Sequence, residues 1–282
     1  MKSFRICFQN VRKWGSNNRI KMVMVFAIMC VILYTSGIGE LSDSMGMKCS
    51  PWIFPFLFTY RYMKIAFMLP LIFLFCDAPF IDANQVYVMV RTKRKVWCAG
   101  QMLYIFFTSF VYASVLLLST IIVNINHIEW NQKWGEVLGT AGTTNVLQKL
   151  GLNYNTVQVI GLVIKYYTPA QAMFFSFLLM FLSFVFLGMI IYVVNVLSKS
   201  TVAGSVAASV LIIMTALVDG YASLVKFSPI SWNSLNNVDV GGYTILPRIE
   251  FILTFYIVTI IVCIIISLSI CEKQEIVVRK ER

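Results

Sequence analysis

Long uncharged stretches alternate with short charged ones along this chain. Met22–Gly39, Val96–Ile128, Tyr166–Ser198, Ser200–Val218 and Phe251–Cys271 carry no Asp, Glu, Lys or Arg. About 20 apolar residues span a bilayer, because the hydrocarbon core is ~30 Å thick and a helix rises ~1.5 Å per residue. A charge at mid-helix costs roughly 2.5–3.5 kcal/mol on insertion scales, so charges mark where spans end. A sixth run, Ile65–Cys76, is too short by itself. Extended back through Tyr60 it takes in Arg61 and Lys64, which are expected to snorkel to the interface. The pattern predicts an all-α integral membrane protein, one domain over 1–282, with transmembrane helices at about 22–39, 60–77, 100–126, 170–197, 201–218 and 250–270.

Four stretches have a different rhythm. In residues 1–14, Phe4, Cys7, Phe8, Val11 and Trp14 recur at helical spacing opposite Lys2, Arg5, Gln9, Arg12 and Lys13. That sorting predicts an interfacial elbow helix with its apolar face in the bilayer and its cations at anionic headgroups. Between the first two spans, Pro51-Trp52-Ile53-Phe54-Pro55-Phe56 reads as a broken interfacial segment. The large loop 127–169 starts polar and turns apolar at Val157–Ile164, as a surface helix or a partner contact would. Phe227-Ser228-Pro229-Ile230-Ser231-Trp232 reads as a partly re-entrant stretch.

Composition agrees with the pattern. Apolar residues make up 59% of the chain and charged ones 12%, about half the charge of a soluble globular protein. Net charge is +11. With the N-terminus inside and six spans, fifteen of the 23 basic residues fall on the cytoplasmic side: the 1–21 cluster, Arg91 with Lys93–Lys95, Lys199, and the C-terminal tail. That obeys the positive-inside rule, places both termini in the cytoplasm, and requires the weak 60–77 span. The basic balance therefore reports topology and anionic lipid, not nucleic acid. A cleaved signal peptide is the alternative for 22–39, disfavoured by a long basic n-region. The seven cysteines form no CxxC pair, so no metal site is expected. Only Cys49 falls in an outer loop, where an impermeant reagent should reach it. On the fifth helix Gly204 and Ala208 have small-xxx-small spacing, a candidate dimer contact.

Catalytic chemistry is missing. His127 lies alone in a loop, and no HExxH, GxSxG or GxxxxGK[ST] occurs. Asp77, Asp219 and Glu250 sit at helix ends, whereas ion-coupled carriers keep ionisable groups at mid-membrane. No catalytic, cofactor-binding or metal-ligating residue is assigned.

Residues 77–104 read Asp-Ala-Pro-Phe, then Arg91-Thr92-Lys93-Arg94-Lys95-Val96-Trp97, then Gly100 and Tyr104. With Phe227–Trp232 and the elbow helix, this resembles the six-helix permease subunits of export-type ABC transporters of Gram-positive bacteria. The resemblance covers the layout of the whole chain, with a longer outer loop at 127–169. It implies a second copy or a related permease as partner and a separate ABC ATPase subunit that binds ATP and Mg. It also implies a cytoplasmic coupling segment at 78–99 using Pro79, Phe80, Arg91, Arg94 and Trp97. An extra subunit at the outer loop is a further partner it leaves room for. Peptides, antibiotics and lipids all remain as cargo. A stand-alone channel or secondary carrier and a non-transporting assembly factor are the competing functions.

Overall fold

The computed structural model describes residues 2–80, 88, 91–152, 156–218, 221–242 and 244–271. Most of 81–90 and the basic tail 272–282 lie outside them. Among the described residues the elements are α1 (Lys2–Arg12), α2 (Asn18–Thr35), α3 (Gly37–Met45), α4 (Arg61–Phe75), α5 (Arg94–Val123), α6 (Gly135–Thr143), α7 (Val146–Lys149), α8 (Gly161–Tyr166), α9 (Pro169–Ser198), α10 (Ala203–Val218), α11 (Ala222–Val225) and α12 (Ile249–Cys271). The chain is an all-helical, multi-pass membrane protein. Four helical segments are long and apolar enough to cross a bilayer: Asn18–Met45, α5, α9 and α12.

The expected bounds shift by a few residues. The first span begins earlier, at Asn18, behind an Asn17 cap whose side chain accepts from the Arg19 N–H. It continues past Ser36 as α3. The third begins at Arg94 rather than 100. The second and fifth helices are short, at 15 residues in α4 and 16 in α10. At ~1.5 Å per residue each falls short of the hydrocarbon thickness by itself.

The core is built around α9. A Thr168 capping box starts it, with Thr168 and Gln171 satisfying each other's backbone N–H groups. Its thirty residues have no polar stripe, so it suits burial on all sides. It packs against α4, α5, α10 and α12. Leu179, Met180, Phe184, Leu187 and Ile191 on it are fully buried. α2 lies outside against α4 and α5, and α1 crosses the start of α5. Gly100 permits that crossing, since a Cβ there would stand 2.7 Å from the Ile6 Cβ.

The two loops beyond α3 and α5 form one cap. Cys49 and Ile128 make a short parallel bridge: the Cys49 N–H donates to the His127 carbonyl and the Glu129 N–H to the Cys49 carbonyl, each at 2.8 Å. Trp52 donates its indole N–H to the Asn131 carbonyl at 2.7 Å, and Ser50 its hydroxyl to the Trp134 carbonyl at 2.6 Å. Phe56 packs against Trp134, ring centroids 5.4 Å apart and planes tilted by 50°. The 51–58 stretch is broken by a short turn at Phe54–Phe56 and mostly buried, with Trp52 only half-buried. In the long loop, Val157 and Val163 are buried inside the cap, while α8 leaves Leu162 54% exposed, so the apolar run ends in a short helix with one buried and one open face.

This arrangement corrects the expected reach of Cys49. It is fully buried. Burial pushes its thiol up to about 12, well above the ordinary range, so it stays protonated and shielded at neutral pH.

Candidate functional site

Where α4 ends, the chain turns at Cys76–Phe80 and three elements hold the turn. Arg19 of α2 forms an ion pair with Asp77 and donates to the Cys76 sulfur at 3.1 Å. Asn195, buried on α9, donates through Nδ2 to the Ala78 carbonyl at 2.9 Å and the Cys76 carbonyl at 3.2 Å. Phe80 lies edge-on against Tyr104 of α5, centroids 4.8 Å apart, and Tyr104 in turn accepts from the Trp14 indole N–H at 2.9 Å. The Ala78–Pro79 peptide is cis and Phe80 is left-handed at φ 54°. The elements on both sides of the turn are thus tied to it: α2 by charge, α9 by an amide, α5 by a ring.

The Asn195 amide has a second duty. Its Oδ1 accepts from the Gly204 N–H at 2.8 Å, one of the first N–H groups of α10. A single buried side chain therefore joins the end of α4 to the start of α10. Nothing in the sequence marks Asn195 beyond its being an amide near the end of an otherwise apolar run.

The sequence-predicted residues divide. Pro79 and Phe80 are in the turn, and Arg91 and Arg94 are exposed beyond it. Trp97 is not available as an anchor for another protein. It is 3% exposed, because α5 begins six residues earlier than expected and turns Trp97 into the bundle. Gly204 and Ala208 are not a dimer contact either. Ala208 is fully buried, and a Cβ on Gly204 would stand 2.6 Å from Asn195 Oδ1 and inside contact distance of the Ile191 carbonyl oxygen. The small residues bring α10 onto α9 within one chain, which is the same backbone approach the motif permits between chains. On α1, Phe4 and Phe8 are 68% and 65% exposed and face away from the protein. Val11 is half-buried, Trp14 packs on α5, and Cys7 joins Ile6 and Asn10 in the buried face. The outward apolar face is therefore narrower than the spacing implied.

Lys64 is a functional candidate that sequence reasoning misplaced. It does not snorkel. It is 1% exposed and donates to the Ser231 carbonyl at 3.3 Å. The same carbonyl accepts from Asn237 Nδ2 at 2.8 Å. The Pro229–Asn233 turn inserts here against α9 and α10, with Ile230, Ser231, Trp232 and Asn233 buried. Asn233 Nδ2 lies 3.6 Å from the Met68 sulfur, and its Oδ1 has no hydrogen-bond partner among the described residues. The stretch thus supplies the Ser231 carbonyl to the buried Lys64 side chain, as desolvation demands. Beside the cap, Lys133, Trp134, Glu136, Lys165, Tyr166 and Tyr167 line an open cleft of about 750 Å³.

No group of three or more metal-ligating side chains occurs among the described residues. No family model matches the chain, and no curated protein or solved structure matches it.

Proposed function

We propose that this chain is the membrane-spanning permease subunit of an ATP-driven ABC exporter, forming the substrate path and coupled to a separate ATPase subunit that binds ATP and Mg. The observation that carries the reading is the anchored Asp77–Phe80 turn. A coupling segment must pass force into the bundle, so its root has to be rigid on several helices at once. Here the root is tied to α2, α5 and α9, and through Asn195 to α10. The basic Arg91–Lys95 stretch follows on the same side, where positive-inside topology places the cytoplasm.

In this reading the chain crosses the membrane six times with both termini cytoplasmic. The short α4 and α10 make up their missing length with the buried 51–60 and 228–237 stretches, which line protein rather than lipid. Phe4 and Phe8 of α1 rest in the bilayer surface. A second copy or a related permease completes the path. The cap cleft is the place for an extra subunit, and the cargo is a peptide, antibiotic or lipid.

The test is purification from the native membrane. The expected result is a co-purifying nucleotide-binding subunit and ATP hydrolysis by the complex, with none by the isolated chain. Solute flux through liposomes holding this chain alone, without ATP, would replace the proposal with a channel or carrier. A pure chain with neither partner nor flux would leave an assembly factor.

A further inference from the structure

α1 reaches the Asp77–Phe80 turn at one remove, through α5. Its inner face meets α5 at successive levels. A Cβ on Gly100 would stand 2.7 Å from the Ile6 Cβ, so the backbones are close there. One turn on, the buried Asn10 donates through Nδ2 to the buried Gln101 Oε1 at 2.8 Å. Just past the end of α1, the Trp14 indole N–H donates to the Tyr104 hydroxyl at 2.9 Å, and its ring packs on Phe107 with centroids 6.0 Å apart. Tyr104 is the ring against which Phe80 stands edge-on at 4.8 Å. From Ile6 to Trp14 the chain advances roughly 12 Å, while the facing positions on α5 advance roughly 6 Å. α1 therefore crosses α5 obliquely, as a helix on the bilayer surface must cross a span.

The outer face of α1 has a different partner. Phe4 and Phe8 lie one turn apart and exposed, with Arg5 and Arg12 exposed on the flank beside them. No acidic residue precedes Glu40. The first span starts at Asn18, so α1 lies where the bilayer surface begins. Two phenyl rings bordered by two guanidinium groups match acyl chains beneath anionic headgroups. A neutral bilayer would use the rings alone and leave both cations without a counter-charge.

We propose that α1 binds anionic lipid headgroups through Arg5 and Arg12, and that this binding regulates the Asp77–Phe80 turn through Trp14 and Tyr104. The regulation rests on reading that turn as the root of the coupling segment. Lipid charge shifts an equilibrium only by favouring one state over another. Headgroups reach both guanidinium groups while α1 lies on the surface. That is the pose in which Asn10 meets Gln101 and Trp14 meets Tyr104. Anionic lipid thus holds the Tyr104 ring under Phe80, and neutral lipid lets it loosen. Tyr104 is a positioning residue in this scheme.

The experiment uses the full chain, without nucleotide, in nanodiscs of phosphatidylcholine or of equal parts phosphatidylcholine and phosphatidylglycerol. Hydrogen exchange is read by mass spectrometry at α1 and at the Cys76, Ala78 and Phe80 amides, each of which donates to a backbone carbonyl. The expected result is slower exchange at both places in the anionic membrane, by about fivefold at the turn, as one cation's attraction to the surface would give. The bridge amides of Cys49 and Glu129 in the cap should not change. Arg5→Gln with Arg12→Gln should remove the lipid dependence at both places. Tyr104→Phe keeps a ring against Phe80 but takes the acceptor from Trp14, so the turn should lose its lipid dependence while α1 keeps its own. If Tyr104→Phe does not accumulate, Trp14→Phe makes the same cut from the other side. Equal protection of α1 in the two membranes overturns the proposal, because a protein or neutral lipid then covers that face. So does an α1 that responds to lipid charge while the turn does not, or a turn whose response survives Tyr104→Phe. Lipid dependence in a chain that brings no ATPase with it leaves this linkage standing and removes only the exporter reading.

Discussion

Gly204→Ala tests whether the small residues of α10 act within one subunit. The new methyl would stand 2.6 Å from Asn195 Oδ1 and closer still to the Ile191 carbonyl oxygen. One obstacle is backbone, so α10 must move off α9. Overpacking of this kind costs about 1–3 kcal/mol. Displacement also lengthens the 2.8 Å Gly204 N–H to Asn195 bond, worth about 1 kcal/mol when lost. The sum is about 2–4 kcal/mol, which lowers the melting temperature of a protein this size by roughly 4–16 °C. The assay is thermal scanning of the purified subunit in detergent, with size-exclusion chromatography beside it. Asn195→Ala removes one of the two obstacles. The double variant should therefore be less damaged than the single effects added together, with a coupling of about 0.5–3 kcal/mol. Unchanged melting of Gly204→Ala would refute the packing argument. Loss of a dimer with the subunit's own melting intact would return Gly204 to an intersubunit contact.

Further outcomes follow from individual burials. Cys49 should resist an impermeant maleimide in whole cells at neutral pH and react only after unfolding, whereas cysteine placed at the exposed Trp130 should be labelled at once. Because burial holds the Cys49 thiol at about 12 against an ordinary 9.0, its contribution to stability is complete below pH 9. It falls as pH rises from there toward 12, so a Cys49→Ala variant should show a flatter alkaline melting profile. Trp97→Ala should lower accumulation and melting, costing about 3–5 kcal/mol as a buried aromatic truncation. Phe80→Ala loses about 0.5–1.5 kcal/mol of ring contact with Tyr104 and should loosen a co-purifying ATPase at near-normal membrane level. The reverse ranking would mean that Trp97 faces a partner. Lys64→Met should leave melting unchanged or raised, as replacing buried charge with apolar volume often does. Under the exporter reading it should still reduce ATP-dependent transport, and full transport by that variant would make Lys64 purely structural.

Charge-free run length determines the class of this protein and most of its helices, because desolvating a charge in hydrocarbon costs more than any local preference restores. The Arg19–Asp77, Asn195–Ala78 and Lys64–Ser231 contacts were not legible that way. Their partners lie 58, 117 and 167 residues apart, and nothing local couples such positions. Lys64 was expected to snorkel because a terminal lysine on an apolar helix usually can. The inserted 229–233 turn, with the Ser231 carbonyl, makes the inward path available. Likewise α9 and α12 share one signature, apolar on every side. The most apolar window of α9 is 67% buried by protein and that of α12 only 28%. In a bilayer, lipid and protein are equally apolar neighbours, so hydrophobicity sets that a helix enters the membrane, while packing alone decides which face meets another helix.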